Sequence, residues 1–147
     1  MIRIIVVEDS EVVRSGIIRL LNYEQDMEVV ASAGDGFEAI ELLSNGASAD
    51  VILVDLNMPK MDGVLLTEHI VNAFPEIRVI IFTMHAKSMF VDKSLKAGAR
   101  GYLLKDGDFA DIMEGIRKVF QGEIYVNKNV QRFTKGETGF SVFNKIV

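Results

Sequence analysis

The amino-acid sequence predicts a doubly wound α/β sandwich, a five-stranded parallel sheet between two helical layers. Two observations point there. Short aliphatic runs alternate five times with segments whose apolar residues recur at helical spacing. The runs are almost uniformly apolar, with no in–out alternation, so both faces of the sheet must be covered. A third observation concerns where the runs stop: Glu8 and Asp9, Asp55, Thr83 and Lys105 each follow one of them.

The first strand is Ile2–Val7, which places the amino terminus within the fold. Val12, Val13, Gly16, Ile17, Leu20 and Leu21 then repeat at helical spacing, with Ser10 placed as the N-cap. Residues 28–33 form a second strand, closed by Gly34-Asp35-Gly36. Phe37, Ala39, Ile40, Leu42 and Leu43 mark a second helix that ends near Asn45-Gly46. Val51–Val54 is a short third strand, followed by a loop over 56–63 containing Pro59 and the turn pair Asp62-Gly63. A third helix runs over 64–74 and stops before Pro75. The fourth strand covers 77–82, and the helix over 87–97 ends at Gly98. Residues 100–104 form the fifth strand, and Phe109, Ile112, Met113, Ile116, Val119 and Phe120 mark the last helix.

Composition narrows the function. With 147 residues, 49% hydrophobic and 25% charged, the chain has the makeup of a globular domain able to bury a core. No apolar run approaches the ~20 residues that span a bilayer, and no leader precedes the first strand, so no membrane partner and a cytoplasmic location are expected. The absence of cysteine removes disulfides, thiolate metal sites and a thiol nucleophile together. A net charge of −5 argues against nucleic-acid binding by this chain itself. That charge is uneven: residues 1–121 hold 12 basic and 19 acidic side chains, residues 122–147 four and two. The expected division is therefore a domain over 1–121 and a linker or tail over 122–147.

Ligands of open α/β sheets bind outside the carboxyl ends of the strands. There, Glu8, Asp9 and Asp55 would form an oxygen-rich pocket whose mutual repulsion calls for a hard cation such as Mg²⁺, or Mn²⁺ in its place. Lys105 and Thr83 could hold two phosphoryl oxygens between them. Singly, each residue has a plainer reading: acids that complement a helix dipole, a loop aspartate, a surface lysine, a strand-end threonine.

The chain resembles the receiver domain of a two-component response regulator over residues 2 to about 121. The resemblance rests on Ile-Val-Val-Glu-Asp (5–9), Val-Asp-Leu-Asn-Met-Pro-Lys-Met-Asp-Gly (54–63), Ile-Phe-Thr (81–83) and Gly-Ala-Arg-Gly-Tyr-Leu-Leu-Lys-Asp (98–106). The last segment is most similar to the NarL/FixJ, or LuxR-type, transcriptional regulators. The resemblance implies a (βα)5 flavodoxin-like fold and a phosphoacceptor switch. Asp55 would accept a phosphoryl group from a sensor histidine kinase or phosphotransfer protein. Asp9 and Asp55 would bind the metal directly, Glu8 through water, and Asn57 by its backbone carbonyl. Lys105 would pair with the phosphoryl group and Thr83 would be drawn towards it. Tyr102, at the family's aromatic switch position, would swing inward as Thr83 moves. Such a protein is not an enzyme acting on other substrates; it assists only its own phosphoryl transfer and hydrolysis.

Several positions depart from the family pattern. Met84 stands where a small residue is usual, and its thioether would screen the phosphoryl group and slow both phosphorylation and hydrolysis. His85 and Asn57 occupy positions that tune dephosphorylation, with His85 expected at the rim. Asp106 replaces a common proline, so no cis peptide bond is expected. A phosphatase of similar topology would need an acid where Asn57 stands, and no phosphate-cradling glycine loop follows the first strand. The alternative is a receiver-like interaction module indifferent to phosphorylation. Regulation of transcription would need a DNA-binding domain that the 26 residues beyond Gln121 cannot hold, although Gly122-Glu123-Ile124-Tyr125 resembles the start of the usual linker. Phosphorylation could dimerise such a domain. Phe140, Phe143 and Ile146 or Val147 are spaced like one face of a short helix.

Overall fold

The computed structural model describes residues 1–130. The helical spacing of Phe140, Phe143 and Ile146 or Val147 lies outside them. Strands β1 (Ile2–Val7), β2 (Met27–Ala33), β3 (Val51–Val54), β4 (Arg78–Thr83), β5 (Gly101–Leu104) and β6 (Tyr125–Val126) alternate with helices α1 (Glu11–Tyr23), α2 (Gly36–Ser44), α3 (Gly63–Ala73), α4 (Ser88–Ala97) and α5 (Phe109–Phe120). All neighbouring strands are parallel, in the order β2-β1-β3-β4-β5-β6. The chain leaves β1 for β2 on one side and returns to β3 on the other. The carboxyl ends of β1 and β3 therefore flank a topological switch point, where such sheets open a crevice.

Side-chain alternation divides each strand between two cores. Ile5, Val7, Ile52, Val54, Val79, Ile81, Tyr102 and Leu104 face α2, α3 and α4, meeting Ala39, Leu66, Ile70, Val91 and Leu95. Ile4, Val6, Leu53, Ile80, Phe82 and Leu103 face α1 and α5, meeting Ile17, Leu21, Ile112, Ile116 and Val119. Both faces are thus covered, which explains the unbroken apolar runs.

Local chemistry sets the helix starts. Ser10 Oγ accepts the Val13 amide at 3.3 Å, as its N-cap position predicts. Asp35 Oδ1 accepts the Glu38 amide at 2.8 Å, and Asp62 Oδ1 accepts those of Val64 and Leu65. Caps of this kind each contribute about 1 kcal/mol. Gly98 ends α4 in the left-handed region, at φ 111°.

The sheet has six strands rather than the expected five. β6 is two residues long, too short to register as a strand in sequence, and it forms by pairing with β5 (Gly101 with Tyr125, Tyr102 with Val126). The packed body consequently continues past Gln121, and Val126 and Val130 are buried in the same core as Tyr102. Among the described residues no peptide bond is cis, and no helix is long and apolar enough to cross a membrane.

Candidate functional site

Backbone pairing extends one residue beyond the strands and fixes the site. The Asp55 amide donates to Val7 O at 3.1 Å, the Glu8 amide to Ala33 O at 3.0 Å, and the Lys105 amide to Thr83 O at 2.8 Å. Glu8, Asp55, Thr83 and Lys105 therefore emerge from four strands at one edge. Glu8, Asp55 and Thr83 are buried at 2%, 5% and 1% exposure, while Asp9 lies open to solvent.

Lys105 Nζ sits 2.5 Å from Glu8 Oε1 and 3.2 Å from Asp55 Oδ2. Asp55 Oδ1 accepts the Asn57 amide at 3.2 Å, so both oxygens of this carboxylate are engaged. Glu8 Oε2 accepts the Ser10 amide, and Arg14 Nη1 donates to the Glu8 carbonyl at 2.7 Å, bracing the acidic pair from α1. Apart from the ion pair with Lys105, Glu8 Oε1 has no hydrogen-bond partner.

Burial and the neighbouring Glu8 charge push the Asp55 carboxyl above the usual aspartate range, against the pull of Lys105. Burial would lower the Lys105 ammonium, but Glu8 and Asp55 together outweigh it and hold the group above the ordinary lysine value. Glu8, Asp9 and Asp55 each offer an oxygen, and the three lie within 4.8 Å of one another. Three carboxylates clustered as an all-oxygen donor set fit a hard divalent cation.

Close backbone approach shapes the loop after Asp55. A Cβ on Gly63 would lie 2.4 Å from the Asp55 carbonyl oxygen, so glycine alone fits there. Lys60 takes φ 73° as the Met61 amide donates back to Pro59 O at 2.8 Å, and its ammonium reaches Asp35 Oδ2 at 3.5 Å. This is a three-residue turn of the strained γ type.

On the opposite wall, His85 is a junction. Its amide donates to Thr83 Oγ1 at 3.3 Å, and its carbonyl accepts the Tyr102 hydroxyl at 2.7 Å. Its ring lies 4.5 Å from that of Phe90, and Nε2 is 2.6 Å from Asn57 Nδ2. The Tyr102 ring is wholly buried and already lies inside the core, its hydroxyl satisfied by His85. Burial raises its pKa well above that of a free phenol. Met84 is 59% exposed.

A carboxylate, a lysine and a hydroxyl beside a cluster of acids at one parallel-sheet edge suit the handling of a phosphoryl group. Comparison with known proteins gives the family. The response regulator receiver domain family matches residues 4–117. The chain is 38% identical over 129 residues to the transcriptional regulatory protein DegU of Brevibacillus brevis, covering 88% of this chain and 54% of that protein. It is 40% identical over 126 residues to the oxygen regulatory protein NreC of Staphylococcus epidermidis (strain ATCC 12228 / FDA PCI 1200), covering 85% and 57%. A crystal structure of a LuxR-family two-component response regulator from Aurantimonas sp. SI85-9A1 matches with a TM-score of 0.84 at 34% identity, over 88% of this chain and 92% of that one. The chain belongs to the response regulator receiver domain family, in its NarL/FixJ branch, the phosphoacceptor module of two-component signalling. It spans a little over half the length of the curated relatives it matches.

Proposed function

We propose that Asp55 is the phosphoacceptor of a switch read out through Thr83, His85 and Tyr102. The observation that supports this most is Asp55 itself, buried yet joined to Lys105 and Glu8 at the sheet's carboxyl edge. A carboxylate oxygen of Asp55 attacks the phosphorus of a phosphohistidine or small phosphodonor, forming an O–P bond as the donor's P–N or P–O bond breaks. The Lys105 ammonium, now shared by two carboxylates, transfers one contact to a phosphoryl oxygen. The Thr83 hydroxyl, whose oxygen accepts the His85 amide, donates to another.

Asp9 and Asp55 would hold Mg²⁺ or Mn²⁺ directly, Glu8 through water, and Asn57 by its carbonyl. The cation supplies positive charge against the phosphoryl oxygens. Movement of Thr83 shifts the His85 backbone, which carries the Tyr102 hydroxyl bond, and so reaches α4 through Phe90. No second substrate is turned over; the chemistry is confined to the protein's own phosphorylation and hydrolysis.

An open groove of about 290 Å³ between α1 and α5, lined by Val13, Ile17, Leu20, Phe109 and Lys105, suits docking of a histidine kinase or phosphotransfer protein. Its wall includes Lys105, so a docked phosphodonor would lie next to the site. Because DegU is a transcriptional regulatory protein, the output proposed is cytoplasmic regulation of transcription, with DNA contacted by residues other than these and a homodimer as the phosphorylated form.

Titration of beryllofluoride, a phosphoryl mimic, tests the reading. Wild type should bind it only with Mg²⁺ present, and Asp55→Asn should not bind it at all. Equal behaviour of the two proteins would replace the switch by an interaction module indifferent to phosphorylation.

A further inference from the structure

A second buried polar cluster lies where α5, the β5–α5 loop and the chain after α5 meet. Asp111, in the first turn of α5, is 7% exposed, and Asn127 is 1% exposed. Asp111 Oδ1 accepts the Tyr125 hydroxyl, and Oδ2 accepts Asn127 Nδ2 at 2.5 Å. Asn127 Oδ1 accepts the Asn129 amide at 2.8 Å. The Asn127 amide donates to Tyr102 O at 2.8 Å, and its carbonyl accepts the Val130 amide at 3.1 Å. All four polar atoms of Asn127 are therefore engaged. Both donors to Asp111 are neutral, so besides the amino-terminal dipole of α5 only hydrogen bonds hold this carboxylate in the interior, which is costly unless the network is complete. Burial and the Asp111 bond raise the Tyr125 phenol well above its ordinary value, so the hydroxyl stays a donor.

The cluster touches the phosphoacceptor machinery from two sides. Tyr102, whose carbonyl accepts the Asn127 amide, is the aromatic bonded to His85. Gly107, two residues after Lys105, packs on the Asn127 side chain so closely that a Cβ there would lie 2.8 Å from Nδ2. Any displacement of the 105–107 turn that accompanies rearrangement of Lys105 would pass to Asn127, because Gly107 has no free space against that side chain.

We propose that Asp111, Tyr125 and Asn127 form a clasp that transmits the state of the phosphoacceptor site to the chain continuing from Val130. The input arrives through the Tyr102 carbonyl on one side and the Gly107 turn on the other. The proposal goes beyond the switch described above and rests on it.

Amide hydrogen exchange over residues 123–130 tests the clasp, on wild type, Asp111→Asn and Tyr125→Phe. Without ligand, both variants should exchange at least about tenfold faster at 125–129, with β1 and β3 unchanged. With Mg²⁺ and beryllofluoride, wild type should change its exchange at these amides. Asp111→Asn, binding beryllofluoride as wild type does, should not. Variants that exchange like wild type, or wild-type amides that ignore bound beryllofluoride, would overturn the clasp. Failure of wild type to bind beryllofluoride would instead overturn the switch on which it rests.

Discussion

Replacing Lys105 with methionine removes the ammonium while keeping a side chain of similar length. In the native site Nζ lies 2.5 Å from Glu8 and 3.2 Å from Asp55, with the three side chains 16%, 3% and 6% exposed. Taking one partner from a buried ion pair typically costs about 3–5 kcal/mol, because the remaining charge is left in a poor solvent. The residual exposure of Lys105 lets water in and brings the expected loss to about 2–3 kcal/mol. For a body of this size that lowers Tm by roughly 6–12 °C. Denaturant unfolding in metal-free buffer measures it. Glu8→Gln in the same background should return much of the loss, since removing both members of a pair is far gentler than removing one. Mg²⁺ should also stabilise Lys105→Met more than wild type, by supplying the missing charge. A loss below about 0.5 kcal/mol, or no relief from Glu8→Gln, would refute the pairing as the organiser of the site.

Other perturbations have equally definite outcomes. Gly63→Ala places a Cβ against the Asp55 carbonyl and should cost about 1–3 kcal/mol, with beryllofluoride binding lost or greatly weakened in the same titration. Arg117 bonds Asp26 at 2.8 Å and Glu24 at 2.7 Å, tying α5 to the turn before β2. The Arg117 bond holds the Asp26 carboxyl below the usual aspartate range. A depressed acid stabilises the fold above its unfolded pKa and loses that contribution as pH falls through the folded value. Arg117→Gln should therefore be less stable than wild type at neutral pH, by under about 1 kcal/mol for so exposed a pair. The gap should close below the ordinary aspartate pKa, as chemical denaturation at several pH values would reveal. Met84→Ala should speed both phosphorylation by acetyl phosphate and later hydrolysis, followed by intact mass against time; unchanged rates would remove Met84 as a screen.

The sheet and its polar edge are legible in sequence for one physical reason. Parallel strands buried on both faces leave uniform aliphatic runs, and the first polar residue after each run must lie at the carboxyl edge. Glu8, Asp55, Thr83 and Lys105 follow directly, and Ser10 and Gly98 are placed at helix ends, whereas Asp62 reads in sequence as a turn residue and becomes the cap of α3 only in the structure. The contacts among these residues are not legible. Nothing in the spacing says that Lys105 leans closer to Glu8 than to Asp55, or that His85 reaches Asn57, because side-chain packing decides both. The sixth strand was hidden by its length and by the long-range pairing that creates it. Asp111 reads in sequence as an ordinary first-turn acid complementing a helix dipole; only the return of Tyr125 and Asn127 over α5 buries it.

Incubation with acetyl phosphate and Mg²⁺, followed by intact mass and peptide mapping, identifies the phosphoacceptor. One phosphoryl group on wild type, mapped to Asp55 and absent from Asp55→Asn, is the predicted result. A wild-type protein left unmodified with Mg²⁺ saturating, or an adduct mapped elsewhere, would contradict it.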